Sequence, residues 1–200
     1  MTRNAWFMLL LSALPFAAFG ADCDANWKDL RSSLLGFKEL HFIGTIPGMP
    51  AGAIEMTVVE KPVDKGPEAI DVATKVELKG LPIKLPGMDN HTSHFTKSKF
   101  CQDVAKQDGE ISLDGQSPGA VMAQVFRGKP KRVEKVKVPA GTFNADYYEV
   151  KYQTKKAGKG GNIQMWLTKI DGHRVPVRTV VAIAESPMPF DIQLKKAVKR

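Results

Sequence analysis

Apolar residues recur along this chain in two rhythms, and the change between them organises the reading. Trp27, Leu30 and Leu34 fall at i, i+3 and i+7, the spacing of one helix face. Asp24 or Asn26 can cap that helix and Gly36 can end it. From Phe37 onward the period shifts towards two. Ile54, Met56 and Val58 alternate, as do Ile70 with Val72 and Val76 with Leu78. Farther on, Ile163, Met165 and Leu167 share one face. Val175, Val177, Thr179, Val181 and Ile183 read as another, and Phe190, Ile192 and Leu194 as a third. Such alternation predicts antiparallel strands with one buried face.

Turn chemistry separates the runs at Pro47-Gly48, Asp64-Lys65-Gly66, Pro86-Gly87 and Asp108-Gly109. Lys155 to Gly161 is polar and glycine-rich, the composition of a hairpin tip. Closely spaced strands predict a meander. Ser117-Pro118 reads as an N-cap followed by proline at the first helical position, with Val121 and Val125 four apart and Gly128 beyond. That predicts one short internal helix. Apart from Pro-Gly-Met at 47–49 and 86–88, nothing repeats.

The first 20 residues do not belong to this pattern. Arg3 supplies a positive start, Ala5 to Leu14 is apolar apart from Ser12, Pro15 breaks the run, and Ala18 and Gly20 frame cleavage before Ala21. These are the parts of a secretory signal. The apolar stretch of about 15 residues is short of the roughly 20 that span a bilayer. Asp22 before Cys23 argues against a lipid-modified cysteine. The expectation is therefore a signal peptide at 1–20 and one periplasmic domain at 21–200, with no transmembrane segment in the mature chain.

Export changes how the two cysteines are read. Cys23 and Cys101 are the whole complement, and in an oxidising compartment an isolated pair is best read as a disulfide. A redox or metal-binding thiol pair is the alternative, which the lack of Cys-x-x-Cys spacing disfavours. Charge is uneven. The chain carries +8, but Arg127–Arg200 holds 17 Lys/Arg against 6 Asp/Glu, leaving residues 1–126 at −3. A basic C-terminal half suits an anionic envelope component. If Val136 and Val138 face inward, Lys135 and Lys137 face out; Lys151, Arg178 and Lys195 lie opposite buried neighbours in the same way. These five form a candidate basic face, or simply a solubilising one. No basic motif interleaved with aromatics recommends nucleic acid.

Candidate chemistry mostly fails on inspection. Gly115-Gln116-Ser117-Pro118-Gly119 matches G-x-S-x-G, but the residue after the serine must donate an N–H to an oxyanion and Pro118 has none. His173 could serve as its base, yet nothing in the sequence positions it. His91 and His94, with Asp89 nearby, form H-x-x-H; on a strand, positions three apart face opposite ways. Gly158-Lys159-Gly160-Gly161 lacks the spacing and hydroxyl of a phosphate loop. No cofactor is implied. Met49, Met88 and Met188 each sit beside proline or glycine between strands. There they can line the mouth of an apolar cavity or plug the end of a packed core.

One stretch has a familiar succession: Val136-Lys137-Val138-Pro139-Ala140-Gly141-Thr142-Phe143, then Asp146 to Tyr152, Trp166-Leu167, Pro176-Val177-Arg178 and Asp191 to Leu194. Covering roughly the last 70 residues, it resembles uncharacterised bacterial periplasmic proteins of the DUF class, themselves similar to the lipoprotein-carrier (LolA/LolB-like) superfamily. The resemblance implies a mainly β fold, a curved antiparallel sheet or half-barrel partly closed around an apolar interior with a helix across its open side. It also implies a non-enzymatic carrier of an apolar or acylated ligand. The alternative from the residues is an interaction module that binds a protein or anionic polymer through the basic face.

Overall fold

The computed structural model describes residues 17–45, 55–79, 91–105, 111–112, 125–126, 128–153, 160–183 and 189–200. Helix α1 (Ala17–Leu35) leads into strands β1 (Phe37–Thr45), β2 (Glu55–Asp64), β3 (Ala69–Lys79) and β4 (His91–Thr96). Helix α2 (Lys97–Ala105) and the short β5 (Ile111–Ser112) follow. Then come β6 (Arg132–Val138), β7 (Gly141–Gln153), β8 (Gly160–Ile170), β9 (His173–Ile183) and β10 (Phe190–Lys199).

All ten strands join one sheet in the order β4-β3-β2-β1-β10-β9-β8-β7-β5, with β6 also on β7. Every pairing is antiparallel except β5 with β7. Two meanders, β1 to β4 and β7 to β10, are thus fused where the first and last strands pair.

The sheet must curl, and α1 shows why. Cys23, Trp27 and Leu30 of α1 share one buried cluster with Ile70, Val72 and Phe95 of β3–β4 and with Tyr148, Val150, Ile163, Met165 and Leu167 of β7–β8. From β3 to β8 is five strand spacings, about 24 Å across a flat sheet at about 4.8 Å each. A helix is only about 10–12 Å wide with its side chains. One helix reaches both groups only if the sheet wraps around it. The face that meets α1 is therefore the concave one, as the half-barrel expectation requires.

The expected helix is present but begins earlier, at Ala17, so neither Asp24 nor Asn26 caps it. Asp24 instead pairs with Lys97 of α2 at 3.0 Å. Gly36 does end it, its N–H donating to the Ser32 carbonyl at 2.9 Å. Trp27 Nε1 donates to the Pro67 carbonyl at 2.8 Å, and Arg31 grips Asp64, so α1 is also pinned to the β2–β3 turn. In that turn Gly66 holds a left-handed φ of 102° while its N–H donates to Asp64 Oδ1 at 2.8 Å. The described internal helix is α2, at a place the sequence reading left without one. The helix expected near Ser117 lies outside the described residues except Val125 and Phe126, which are helical and buried.

Two irregularities distribute the apolar residues between two cores. Trp166 pairs with Arg178, but Leu167 pairs with Pro176, so the β8–β9 register shifts there. Proline cannot donate to the ladder, and a bulge is where a strand tolerates it. The single face read from Val175 to Ile183 is corrected by this bulge. Val175 and Val177 are fully buried in a second cluster with Phe37, Val136, Val138, Tyr147 and Trp166, whereas Val181 packs on the first.

The other irregularity is a seam. β10 pairs with β9 only over Phe190–Gln193. Beyond it the β6–β7 turn takes the place of β9, the Ala140 N–H donating to the Leu194 carbonyl at 3.0 Å. Gly141, with φ 143°, makes that turn possible. The Val-Pro-Ala-Gly motif therefore closes the sheet where β10 parts from β9.

Cys23 and Cys101 are bonded, tying α1 to α2 and so to the outer strand β4. The bond closes a loop with a sequence separation of 78. Opening a loop of that order costs about 4 kcal/mol in the chain-entropy model. Replacing both cysteines by alanine is expected to lower unfolding free energy by up to that amount in urea titrations. A loss under about 0.5 kcal/mol would show that α1 holds its place without the bond.

Candidate ligand cradle on the concave face

The concave face of the first meander follows from register. Ile70 and Val72 meet α1, so Thr74 and Val76 share their side of β3. Opposite them stand Pro62, Glu60 and Val58 of β2, then Leu40 and Phe42 of β1, then Leu194 and Ile192 of β10. On β4 the same face carries Phe95 and Ser93. Phe42, Val58 and Leu194 are buried, with Val76 and Ile192 packed partly exposed beside them. Met56 lies across Gly44, where a Cβ would fall 2.1 Å from the Met56 Cε. Glycine is needed there so that the thioether can lie flat on the wall.

One end of this cradle is closed and the other carries long connections. At the closed end are α1, the β2–β3 turn and the Asp171-Gly172 hairpin, where Asp171 takes a positive φ of 52°. At the other end Thr45 pairs with Asp191, Glu55 with Lys79, and Gly161 with Ile183. Segments 46–54, 80–90, 154–159 and 184–188 therefore all join strand ends on that side. Met49, Met88 and Met188 belong to three of them, and their side chains lie outside the described residues.

Within the apolar wall sits a carboxylate. Glu60 pairs with Leu40 on one side and Thr74 on the other. It is half-buried. Burial alone pushes its carboxyl from 4.5 up to about 7. No described residue gives it a cation or a hydrogen bond. Thr74 and Ser93 are each 8% exposed on the same face, and their hydroxyls likewise have no side-chain partner among the described residues. The sequence reading passed over all three. Its available signal was parity: Glu60 continues the alternation of Met56 and Val58.

Other charged groups near the cradle are satisfied. Arg174 donates to Asp29 at 3.2 Å and to the Tyr148 hydroxyl at 2.7 Å, and lies 4.4 Å from the Phe126 ring centre. It holds α1 against β7 and β9. His173 approaches Ser32 Oγ at 3.3 Å and packs edge-on to Phe37. His91 and His94 lie three positions apart on β4 and so on opposite faces: His94 pairs with Asp71 on the convex side, and His91 stands opposite Thr74 in register. Among the described residues no group of His, Cys, Asp and Glu is arranged to hold a metal. Ser117 lies outside the described residues.

The five basic candidates separate. Lys135, Lys137, Lys151 and Lys195 are exposed, with no ion pair to a described residue. Arg178 is engaged instead, donating to Asp191 at 3.0 and 2.8 Å and stacking over Trp166. Trp166 Nε1 donates to Glu134 at 2.6 Å, and Arg132 completes the network on Glu134. Hydrogen bonds from Trp166 and Arg132 hold the Glu134 carboxyl below its ordinary range. This Trp-Arg-carboxylate lattice fastens β6 over β8 and β9.

No family model and no curated protein matches the chain. Among solved structures it is similar to the lipoprotein LppX of Mycobacterium tuberculosis, at 12% identity over 88% of this chain and 96% of that one, with a TM-score of 0.39. It is also similar to LprF of Mycobacterium bovis, at 11% identity over 88% and 93%, with a TM-score of 0.36. At that similarity no residue role carries across.

Glu60 has a pH signature with a definite sign. Its folded carboxyl titrates at about 7, against 4.5 for the unperturbed group. Between those values the folded state retains a proton that the unfolded chain has lost. The stability linked to this site is therefore full below about pH 4.5 and falls as pH rises through about 7. Glu60→Gln is expected to match the parent at pH 4.5 and to exceed it by up to about 3 kcal/mol at pH 8. Residual hydration of the carboxylate reduces that figure. Unfolding titrations of both proteins across this range check it; a difference that does not vary with pH contradicts it.

Proposed function

We propose that this chain is a non-enzymatic, exported binding or carrier protein that holds an apolar or acylated envelope ligand against its concave face. One observation carries the reading. An apolar wall curls around α1, is closed at one end, and at the other end bears the three connections that contain Met49, Met88 and Met188. A flexible thioether adapts to ligands of varied shape, and burial of hydrocarbon supplies affinity without specific polar contacts. Residues 1–20 act as the cleaved export signal. The disulfide fits an oxidising compartment, and among the described residues no helix is long and apolar enough to cross a membrane.

Native mass spectrometry of the protein purified from its own envelope, followed by organic extraction, tests both parts. The expected protein mass begins at Ala21, accompanied by an adduct that extraction recovers as a species of lipid mass. A mass that retains residues 1–20 removes the signal reading. Protein that stays free of lipid even after incubation with a total envelope lipid extract removes the carrier reading.

The exposed Lys135, Lys137, Lys151 and Lys195 favour a second reading, an interaction module for an anionic polymer. Because exposed charges are screened within about 8 Å at physiological salt, such binding is expected to weaken steeply between 50 and 500 mM salt, by roughly tenfold or more. Replacing the four lysines by glutamine should flatten that dependence. Salt-independent retention on an anionic resin would remove this reading.

A further inference from the structure

The seam between β10 and the β6–β7 turn gathers lysines from two distant stretches of the chain. Ala140 donates its N–H to the Leu194 carbonyl at 3.0 Å. Lys137 lies three residues before that bond and Lys195 one after it, so their backbones are no more than roughly 20 Å apart. Val136, Val138 and Leu194 are buried together in the second core, and Lys135 and Lys137 alternate away from it. Lys195 is the unpaired residue of a bulge, between Leu194 opposite Phe42 and Lys196 opposite His41. All four lysines are exposed, with no ion pair to a described residue. Other strand lysines stand beside carboxylates: Lys61 by Glu39 at 2.9 Å, Lys75 by Glu77 at 2.6 Å, Lys199 by Asp171 at 2.8 Å. The carboxylates on the strands adjoining the seam are engaged elsewhere, Glu134 with Trp166 and Arg132, Glu39 with Lys61 and His41. Asp146, half-buried opposite Val133 at the far end of β6, marks the edge of the patch. Like charges gathered without a counter-ion repel one another. Folding gains nothing from collecting them.

We infer that Lys135, Lys137, Lys195 and Lys196 form a docking surface for an anionic phospholipid bilayer. This does not rest on the carrier reading, because no ligand in the cradle takes part. It gives the basic face a different occupant from a soluble polymer, and it leaves out Lys151, which lies at the other end of β7. A lysine close to an anionic membrane surface favours binding about fivefold. The side chains among the cations select a bilayer over a polymer chain. Pro139 and Ala140 are exposed between Lys137 and Lys195. Val133, on the same side of β6 as Lys135 and Lys137, is 65% exposed. Hydrocarbon interspersed with lysine suits the boundary between headgroups and acyl chains. A hydrated polyanion offers that hydrocarbon no burial.

Co-sedimentation of the purified protein with unilamellar vesicles tests this, at about 0.1 M salt. Vesicles of phosphatidylcholine alone are compared with vesicles containing about one-third phosphatidylglycerol. The parent is expected to bind the mixed vesicles at least about tenfold more tightly than the neutral ones. Lys137→Gln with Lys195→Gln should weaken that binding about twentyfold, two lysines at about fivefold each. Lys28→Gln with Lys151→Gln removes the same charge elsewhere and should change it less than about twofold. Val133→Ser should weaken vesicle binding about threefold and leave retention on dextran sulfate, a soluble polyanion, unchanged. All five positions are exposed, so each variant should keep the circular dichroism of the parent. An equal loss in the two lysine pairs overturns the docking surface, since net charge alone then sets binding. Failure of the parent to bind the mixed vesicles also overturns it. In that case, retention on dextran sulfate that Lys137→Gln with Lys195→Gln weakens assigns the patch to a polymer. Retention on neither leaves the lysines the role of keeping the protein in solution. The carrier reading stands or falls separately from every one of these outcomes.

Discussion

Everything else in this molecule depends on a sheet bent around one helix. The strands at the two flanks of the ladder are brought together by the same few side chains, Cys23, Trp27 and Leu30, which Ile70 and Phe95 touch from one side and Tyr148 and Leu167 from the other. Without that contact a ten-stranded sheet of this length would expose two apolar faces. Apolar burial drives the curl, and directional bonds set its angle: Trp27 to Pro67, Arg31 to Asp64, and Arg174 to Asp29 and Tyr148. The disulfide adds a covalent tie from the same helix to the segment that follows β4.

A curl held from one end leaves a different problem at the other. The helix covers the concave face as far as Val72 and Phe95, and the rows beyond belong to a second cluster with its own supports. Those supports come from β6, β7, β8 and β9. The β8–β9 bulge turns Val175 and Val177 towards Val136 and Tyr147, and the β6–β7 turn bonds to Leu194 at the seam. Leu40, Phe42, Val58 and Leu194 of β1, β2 and β10 pack into that same second cluster. The two cores therefore meet along β1, β2 and β10.

Much of this was legible in the chain. Period-two runs placed β2, β3 and β8 to β10, the Trp27–Leu30–Leu34 stripe placed α1, and two cysteines in a chain read as exported implied their bond. What escaped were features fixed by partners distant in sequence. The pairing of β1 with β10, the β5–β7 contact and the bulge opposite Pro176 depend on long-range register, to which local alternation is blind. The start of α1 escaped because Ala17 to Asn26 contains no strong breaker, and Asp24 found a better partner in Lys97 than in its own backbone. Arg178 looked like one more outward cation. Only the fold shows Asp191 and Trp166 beside it. The site was less legible than the fold, for a related reason. A carboxylate at an inward position reads as an ordinary polar interruption until the sheet shows that no described residue pairs with it.

The energetics of Glu60 follow from its burial. Folding gains nothing from Glu60. A leucine at that place would extend the wall from Leu40 to Val58, bury more hydrocarbon and remove a group whose charged form is disfavoured up to about pH 7. Where a buried charge serves the fold, it is paired, as Arg178 is with Asp191 and Arg174 with Asp29. Glu60 differs from both in having no ion-pair or hydrogen-bond partner among the described residues. The charged form of Glu60 is therefore a cost that the fold carries rather than a contact that builds it.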